Sequence, residues 1–438
     1  MATDMTMTPP GRTSDGSPTT SPVTTTDPPA DGDASPDRAA AALVARLPVS
    51  AKIALLTGAD SWRVPGSPEI GLRPIVTSDG PAGVRGVIKD ERSPSTSLPC
   101  PSALGATWDP SLVLELGAAL GREARGKAVD VLLAPTINLM RTPLGGRGFE
   151  CFAEDPVLTA ELAVAYVRGV QSAGVAATVK HFAGNDSETQ RWTYDARIAE
   201  TVLRELYLVP FEAAVKAGGA LAVMAAYNGV NGATMTTSEP LLRGVLKGEW
   251  GFDGVVMSDW HAARQTVATA LGGLDLVMPG PDGPWGDQLA AAVADGRVSE
   301  AVLDDKVLRL LRLARRVGAL VDADSHVAGS PAAAGNATAE GGPVAPELLR
   351  RAAAASFVLL RNEAGALPLD PAALSRVTVA GPNAFWPTIQ GGGSAGVMPA
   401  GVSAPADAIR AALAGRVAVE AAVGCQTWES VPAPRPGS

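Results

Sequence analysis

Two periodicities alternate along the chain. Short, mainly apolar runs cover Arg73 to Ser78, Val129 to Ala134, Val175 to His181, Leu221 to Ala226, Val255 to Met257 and Leu274 to Met278. Between them lie longer stretches in which apolar residues recur every three or four positions. The short runs read as strands buried on both faces of a parallel sheet. The stretches Asp37 to Leu47, Ser50 to Gly58, Asp109 to Gly126, Pro156 to Ala173, Ile198 to Ala217, Ser238 to Lys247, Trp285 to Asp295 and Ser299 to Val317 read as helices. Strand and helix in alternation predict a parallel α/β domain. Residues 37–320 have the length of a (β/α)8 TIM-like barrel. A doubly wound sheet is the alternative, but no Gly-x-Gly-x-x-Gly follows the first strand. Several strands also end in polar clusters, which suits a closed barrel with one shared mouth.

The flanks read differently. Residues 1–36 are rich in Thr, Ser, Pro and Asp and lack the apolar core of a signal peptide, so a disordered leader and a cytoplasmic protein are expected. Residues 321–346, rich in Ala, Gly and Pro, read as a linker. Residues 347–438 carry a helix over Glu347 to Ala355, strands over Phe357 to Leu360 and Val377 to Ala380, and a helix over Ala404 to Ala414. That is a small α/β unit, expected to be cut off with an unfinished sheet edge.

Composition removes several functions. The 438 residues are 46% hydrophobic and carry a net charge of −9 with no basic cluster, so a nucleic-acid partner is not expected. Charge or Gly interrupts the longest apolar stretches, so none is a membrane span. Cys100, Cys151 and Cys425 are odd in number and widely spaced, and only three histidines are present, so no metal centre or other cofactor is expected.

Five predicted strands end in polar residues with no evident structural need. Asp79 follows the first. Arg147 and Glu150 lie in the loop after the second. Lys180 and His181 end the third, Tyr227 follows the fourth, and Asp259 follows Val255-Val256-Met257-Ser258. The carboxyl ends of barrel strands carry the chemistry, which makes Asp259 a candidate nucleophile. Each residue also has a plainer role. Asp259 would cap a helix starting at His261, Asp79 would hold the turn before Gly80-Pro81, and Arg147 would pair with Glu150. Lys180 and His181 would form a solvated strand end, and Tyr227 would pack the rim. Taken together, the set suits a sugar. Hydroxyls are read by charged donors and acceptors, here Asp79, Arg147, Lys180 and His181. Trp260, Trp62 or Phe149 would offer an apolar face to the ring. Glycoside cleavage needs a pair of carboxylates and no cofactor.

Asp79-Gly80-Pro81-Ala82-Gly83-Val84-Arg85 resembles a motif of glycoside hydrolase family 3, the β-glucosidase family. So do Gly145-Gly146-Arg147-Gly148-Phe149-Glu150, Lys180-His181-Phe182, Met224-Ala225-Ala226-Tyr227-Asn228 and Ser258-Asp259-Trp260. Leu359-Leu360-Arg361-Asn362-Glu363 and Gly391-Gly392-Gly393-Ser394 resemble the opening of that family's second domain. The resemblance implies a barrel followed by the start of an α/β sandwich domain, and an exo-acting retaining β-glucosidase with Asp259 as nucleophile. It implies that Asp79, Arg147, Lys180 and His181 hold the sugar beside the cleaved bond, with Tyr227 beneath it. Lys180 and Arg147 are expected to keep Asp259 ionised. The family's acid/base is usually a Glu deeper in the second domain, and Glu363, Glu420 and Glu429 do not match that position. The chain is therefore expected to lack its acid/base. The alternatives are a non-catalytic sugar-binding remnant, or one half of a split enzyme with a complementing C-terminal partner. The family's variant with a His acid/base in a Gly-His-Gly loop is disfavoured by Phe182-Ala183-Gly184-Asn185-Asp186.

Overall fold

In the computed structural model, residues 36–320 and 341–425 are described. The leader expected over 1–36 and most of the linker expected over 321–346 fall outside them. Apart from the first, the barrel strands are short and almost wholly buried. The wall runs β1 (Arg63–Val64), β2 (Ile75–Asp79), β3 (Val131–Leu133), β4 (Ala176–Phe182), β6 (Ala222–Ala225) and β9 (Val255–Ser258), in that spatial order. From β2 to β9 the pairs are parallel. β1 departs from the ideal barrel and pairs antiparallel with β2. Beyond β9, Leu276 bridges to Met257 and Val277 bridges to Thr57. The turn from Thr57 to Arg63, in which the Ala59 N–H donates to the Arg63 carbonyl at 2.7 Å, carries the circuit back to β1. The expected strand over Leu274 to Met278 is thus reduced to single bridges on either side. A small sheet of β5 (Asp195–Ala196), β7 (Gly229–Val230) and β8 (Ala233–Thr234) sits in the loops after β4 and β6.

The helices wrap this wall. Asp109 and Asp155 accept the N–H of Leu112 and Leu158 at 3.0 and 2.7 Å, capping the helices Pro110–Gly126 and Pro156–Gln171, each of which begins with Pro. These two helices touch backbone to backbone. A side chain on Gly169 would meet the Leu114 carbonyl at 2.4 Å, and one on Gly121 would meet that of Val170 at 2.5 Å.

Two expected helices are irregular. Over 198–217 the chain forms a helical turn at Glu200–Val202, a π-turn at Leu203–Tyr207 and a helix at Val209–Lys216. Pro210 lacks the N–H that would continue the ladder, and Leu208 N–H reaches back five residues to Leu203. The segment Pro240–Glu249 is likewise a π-helix that begins with Pro.

The C-terminal unit holds the helix Pro346–Ala355, then β10 (Arg376–Ala380) and β11 (Ala418–Ala422), which pair in parallel, with the helix Pro405–Ala412 between them. β11 was missed because Ala-Val-Glu-Ala-Ala reads as helical. Phe357 to Leu360 is not a strand. It is unpaired, with Phe357 85% and Leu360 91% exposed, and strand structure requires a ladder partner.

Candidate active site

The polar residues at the five strand ends converge at one end of the barrel. β4 is buried along its whole length and delivers Lys180 and His181 into the interior, each only 2% exposed. Lys180 Nζ lies 3.3 Å from Asp79 Oδ1, joining the ends of β4 and β2. Arg147 pairs side-on with Glu150, Nε to Oε1 at 3.0 Å and Nη2 to Oε2 at 2.7 Å. The pairing expected for this loop is therefore present. It also leaves Nη1 free to lie 3.2 Å from His181 Nε2. His181 Nε2 is in turn 3.5 Å from Asp259 Oδ2.

Asn138 holds this histidine, and the sequence reading missed it. Its Oδ1 accepts the His181 N–H at 2.8 Å and lies 3.3 Å from Nδ1, while its Nδ2 donates to the His181 carbonyl at 2.9 Å. The signal was a lone amide closing the apolar run from Val131 to Ile137. With Nδ1–H directed at Asn138, Nε2 is the acceptor for Arg147. Burial, then the Arg147 and Lys180 charges, push His181 well below its ordinary pKa. The contact with Asp259 is therefore between a neutral imidazole and a carboxyl group, not an ion pair.

Asp259 sits at the end of β9. Oδ1 accepts the Trp260 N–H at 2.7 Å, and Oδ2 is buried without a geometric hydrogen bond. The helix after it spans Thr266–Gly272, and His261 has φ +63°, so Asp259 is not a helix cap. Burial, the largest influence, raises the Asp259 carboxyl above 3.8, while Lys180, the Trp260 N–H, Arg147 and the Tyr227 hydroxyl draw it down. Lys180 and Arg147 thus favour the ionised form, as expected, while burial opposes them. The Tyr227 phenol is raised above its ordinary value by burial and by Asp259.

Aromatic rings border the mouth. Trp260 and Trp62 stand 5.6 Å apart between centroids, and the Arg85 guanidinium lies 4.4 Å from the Trp62 ring. Arg85 keeps Nε and Nη1 buried without a hydrogen-bond partner. Phe149 is spent elsewhere, since its ring abuts Gly391. The loop containing Gly391 is tied to the barrel where the Ser95 N–H donates to the Met398 carbonyl at 2.8 Å. Among the described residues no His, Cys, Asp and Glu group could hold a metal ion, and no helix is long and apolar enough to cross a membrane.

Sequence and fold together place this barrel among the glycosyl hydrolases. Residues 59–313 match the glycosyl hydrolase family 3 N terminal domain, and residues 357–429 match the glycosyl hydrolase family 3 C-terminal domain. The chain belongs to glycosyl hydrolase family 3. It is 44% identical over 387 residues to a beta-glucosidase of Rhizobium radiobacter, covering 87% of this chain and 45% of that protein. It is 40% identical over 393 residues to beta-glucosidase B of Emericella nidulans, covering 89% and 45%. Among solved structures, beta-glucosidase from Kluyveromyces marxianus in complex with glucose superimposes with a TM-score of 0.80 at 34% identity, over 90% of this chain and 46% of that one. Beta-glucosidase 3B from Thermotoga neapolitana in complex with glucose gives 0.77 at 33%, over 87% and 55%. The chain thus spans about half the length of the relatives it matches.

Proposed function

We propose that this chain carries the sugar-binding cup and nucleophile of a retaining β-glucosidase that releases terminal, non-reducing β-D-glucosyl residues. The observation that carries the reading is Asp259 Oδ2, a buried carboxylate oxygen without a geometric hydrogen bond, beside neutral His181 and within a cup that also holds Lys180 and Arg147. The names of the relatives support it, as does the glucose complex of the Kluyveromyces enzyme. In this reading Asp79, Lys180, Arg147 and His181 take the sugar hydroxyls, and Tyr227 lies under the ring. Asp259 Oδ2 attacks the anomeric carbon as the glycosidic bond breaks. A glycosyl ester forms, and water then cleaves it with overall retention.

Three carboxylates around the cup are engaged in ion pairs. Asp79 pairs with Lys180, Glu150 with Arg147 and Glu188 with Arg191. We therefore assign the general acid to none of these three. A complementing polypeptide is the second reading, and the exposed Phe357 to Leu360 strip favours it.

The test uses a 2,4-dinitrophenyl β-glucoside, whose leaving group departs without a proton. The 438-residue chain should show a burst, a mass increase on the peptide containing Asp259, and faster release with azide. Cellobiose, which needs general acid catalysis worth about 10²–10⁴-fold, should scarcely turn over. Asp259→Asn should abolish the burst. Labelling of another residue would overturn the assignment, and brisk cellobiose hydrolysis would show that an acid is present.

A further inference from the structure

A group leaving the sugar must depart outward past Asp259. Trp260, whose N–H donates to Asp259, and Trp62 beside it border that path. Tyr227, whose hydroxyl meets the Asp259 carboxyl, borders it as well, and Trp192 packs on the Tyr227 ring with centroids 4.2 Å apart. Trp192 comes from the loop between β4 and β5. It is 38% exposed where Tyr227 is only 7% exposed, so it forms the outer part of this wall. Its position is built rather than incidental. Arg264, on the segment that follows Asp259, donates from Nη1 to the Trp192 carbonyl at 2.9 Å and lies 5.2 Å from its ring. Arg191 is held by Glu188 at 2.8 Å and lies 4.5 Å over the Tyr227 ring and 5.6 Å from that of Trp192. The loop after β4 is thereby strapped to the strand end that carries the carboxylate. An indole fixed in this way offers a flat apolar surface with little further loss of freedom on binding.

We propose that Trp192 is the specificity-determining wall for the leaving group, stacking against a planar aryl or pyranosyl aglycone and so disfavouring small alkyl ones. This rests on the reading of the cup as a glucose site, and the test separates the two. Calorimetry would measure binding of glucose and of non-hydrolysable phenyl and methyl 1-thio-β-D-glucosides to the full chain. The wild type should bind the phenyl compound more tightly. In Trp192→Ala the phenyl-to-methyl affinity ratio should fall about three- to tenfold, the worth of one aromatic contact, and Trp192→Phe should retain most of it. Arg264→Met, which releases the strap but keeps the indole, should give an intermediate ratio, and it decides the matter if Trp192→Ala fails to fold. Glucose binding with a ratio unmoved in the variants overturns the role of Trp192 and leaves the glucose site standing. Failure of the wild type to bind glucose or either thioglucoside overturns the glucose site, and this inference with it.

Discussion

His181 concentrates the chemistry of the cup in one side chain, because burial and then the nearby Arg147, Lys180 and Arg191 charges hold it neutral. An unfolded histidine titrates near 6.5, whereas folded His181 titrates well below that. Below pH 6.5 the unfolded chain takes up a proton that the folded chain refuses, so stability falls as pH drops. The loss is at most about 1.4 kcal/mol per pH unit for this group. Asp259 has the opposite sign. Its folded pKa is raised, so the stability it contributes is present at low pH and is lost as pH rises through the folded value. We predict that His181→Gln flattens the decline in urea midpoint between pH 6.5 and 5 relative to wild type; parallel declines would refute the neutral assignment. Asn138 is the residue that fixes this ring. Asn138→Ala leaves the buried N–H and carbonyl of His181 without partners, at a cost of about 1–3 kcal/mol. Both the denaturation midpoint and the affinity for glucose should fall, and a normal midpoint with normal affinity would remove Asn138 from the site.

Elements differ in how openly the sequence declares them. The helices Pro110–Gly126 and Pro156–Gln171 are announced by Asp-Pro starts and a clear apolar period, and they form nearly as expected. The strand ends at Asp79, His181 and Asp259 were legible because a polar residue interrupts a run that burial requires to be apolar. Asn138 escaped because one amide is ambiguous without its partner from the next strand. The π-turns near Pro210 and Pro240 escaped because their apolar spacing still resembles a helix. Leu274 to Met278 was overestimated because it closes the ring, pairing once with Met257 and once with Thr57. The glycine contact between the two capped helices makes a test at this scale. Gly169→Ala drives a methyl group into the Leu114 carbonyl and should destabilise the chain by about 1–3 kcal/mol. An unchanged denaturation midpoint would show that the helices can separate without penalty.

The whole molecule has two unequal parts. The barrel is a continuous buried core, whereas β10 and β11 form a two-stranded sheet with neither face fully buried. Phe357, Val358, Leu359 and Leu360, earlier in the same unit, lie open. Contiguous exposed apolar surface marks an interaction site, and we predict that it binds a hydrophobic dye. Phe357→Ser with Leu360→Ser should lower the dye signal and leave the barrel's thermal midpoint in place. A fall in that midpoint would mean that the strip supports the barrel.

The bridge between Thr57 and Val277 also has a consequence in time. These residues are roughly 220 positions apart in the chain, so ring closure is among the most non-local events in its folding. On a ribosome adding ~5–20 residues per second, Thr57 emerges on the order of ten seconds or more before its partner exists. Through that interval Leu55 and Leu56, which end up buried, have no seam to enter. The start of the barrel is therefore the stretch a nascent-chain chaperone meets first and holds longest, and protease resistance there should appear only after Val277 has left the exit tunnel.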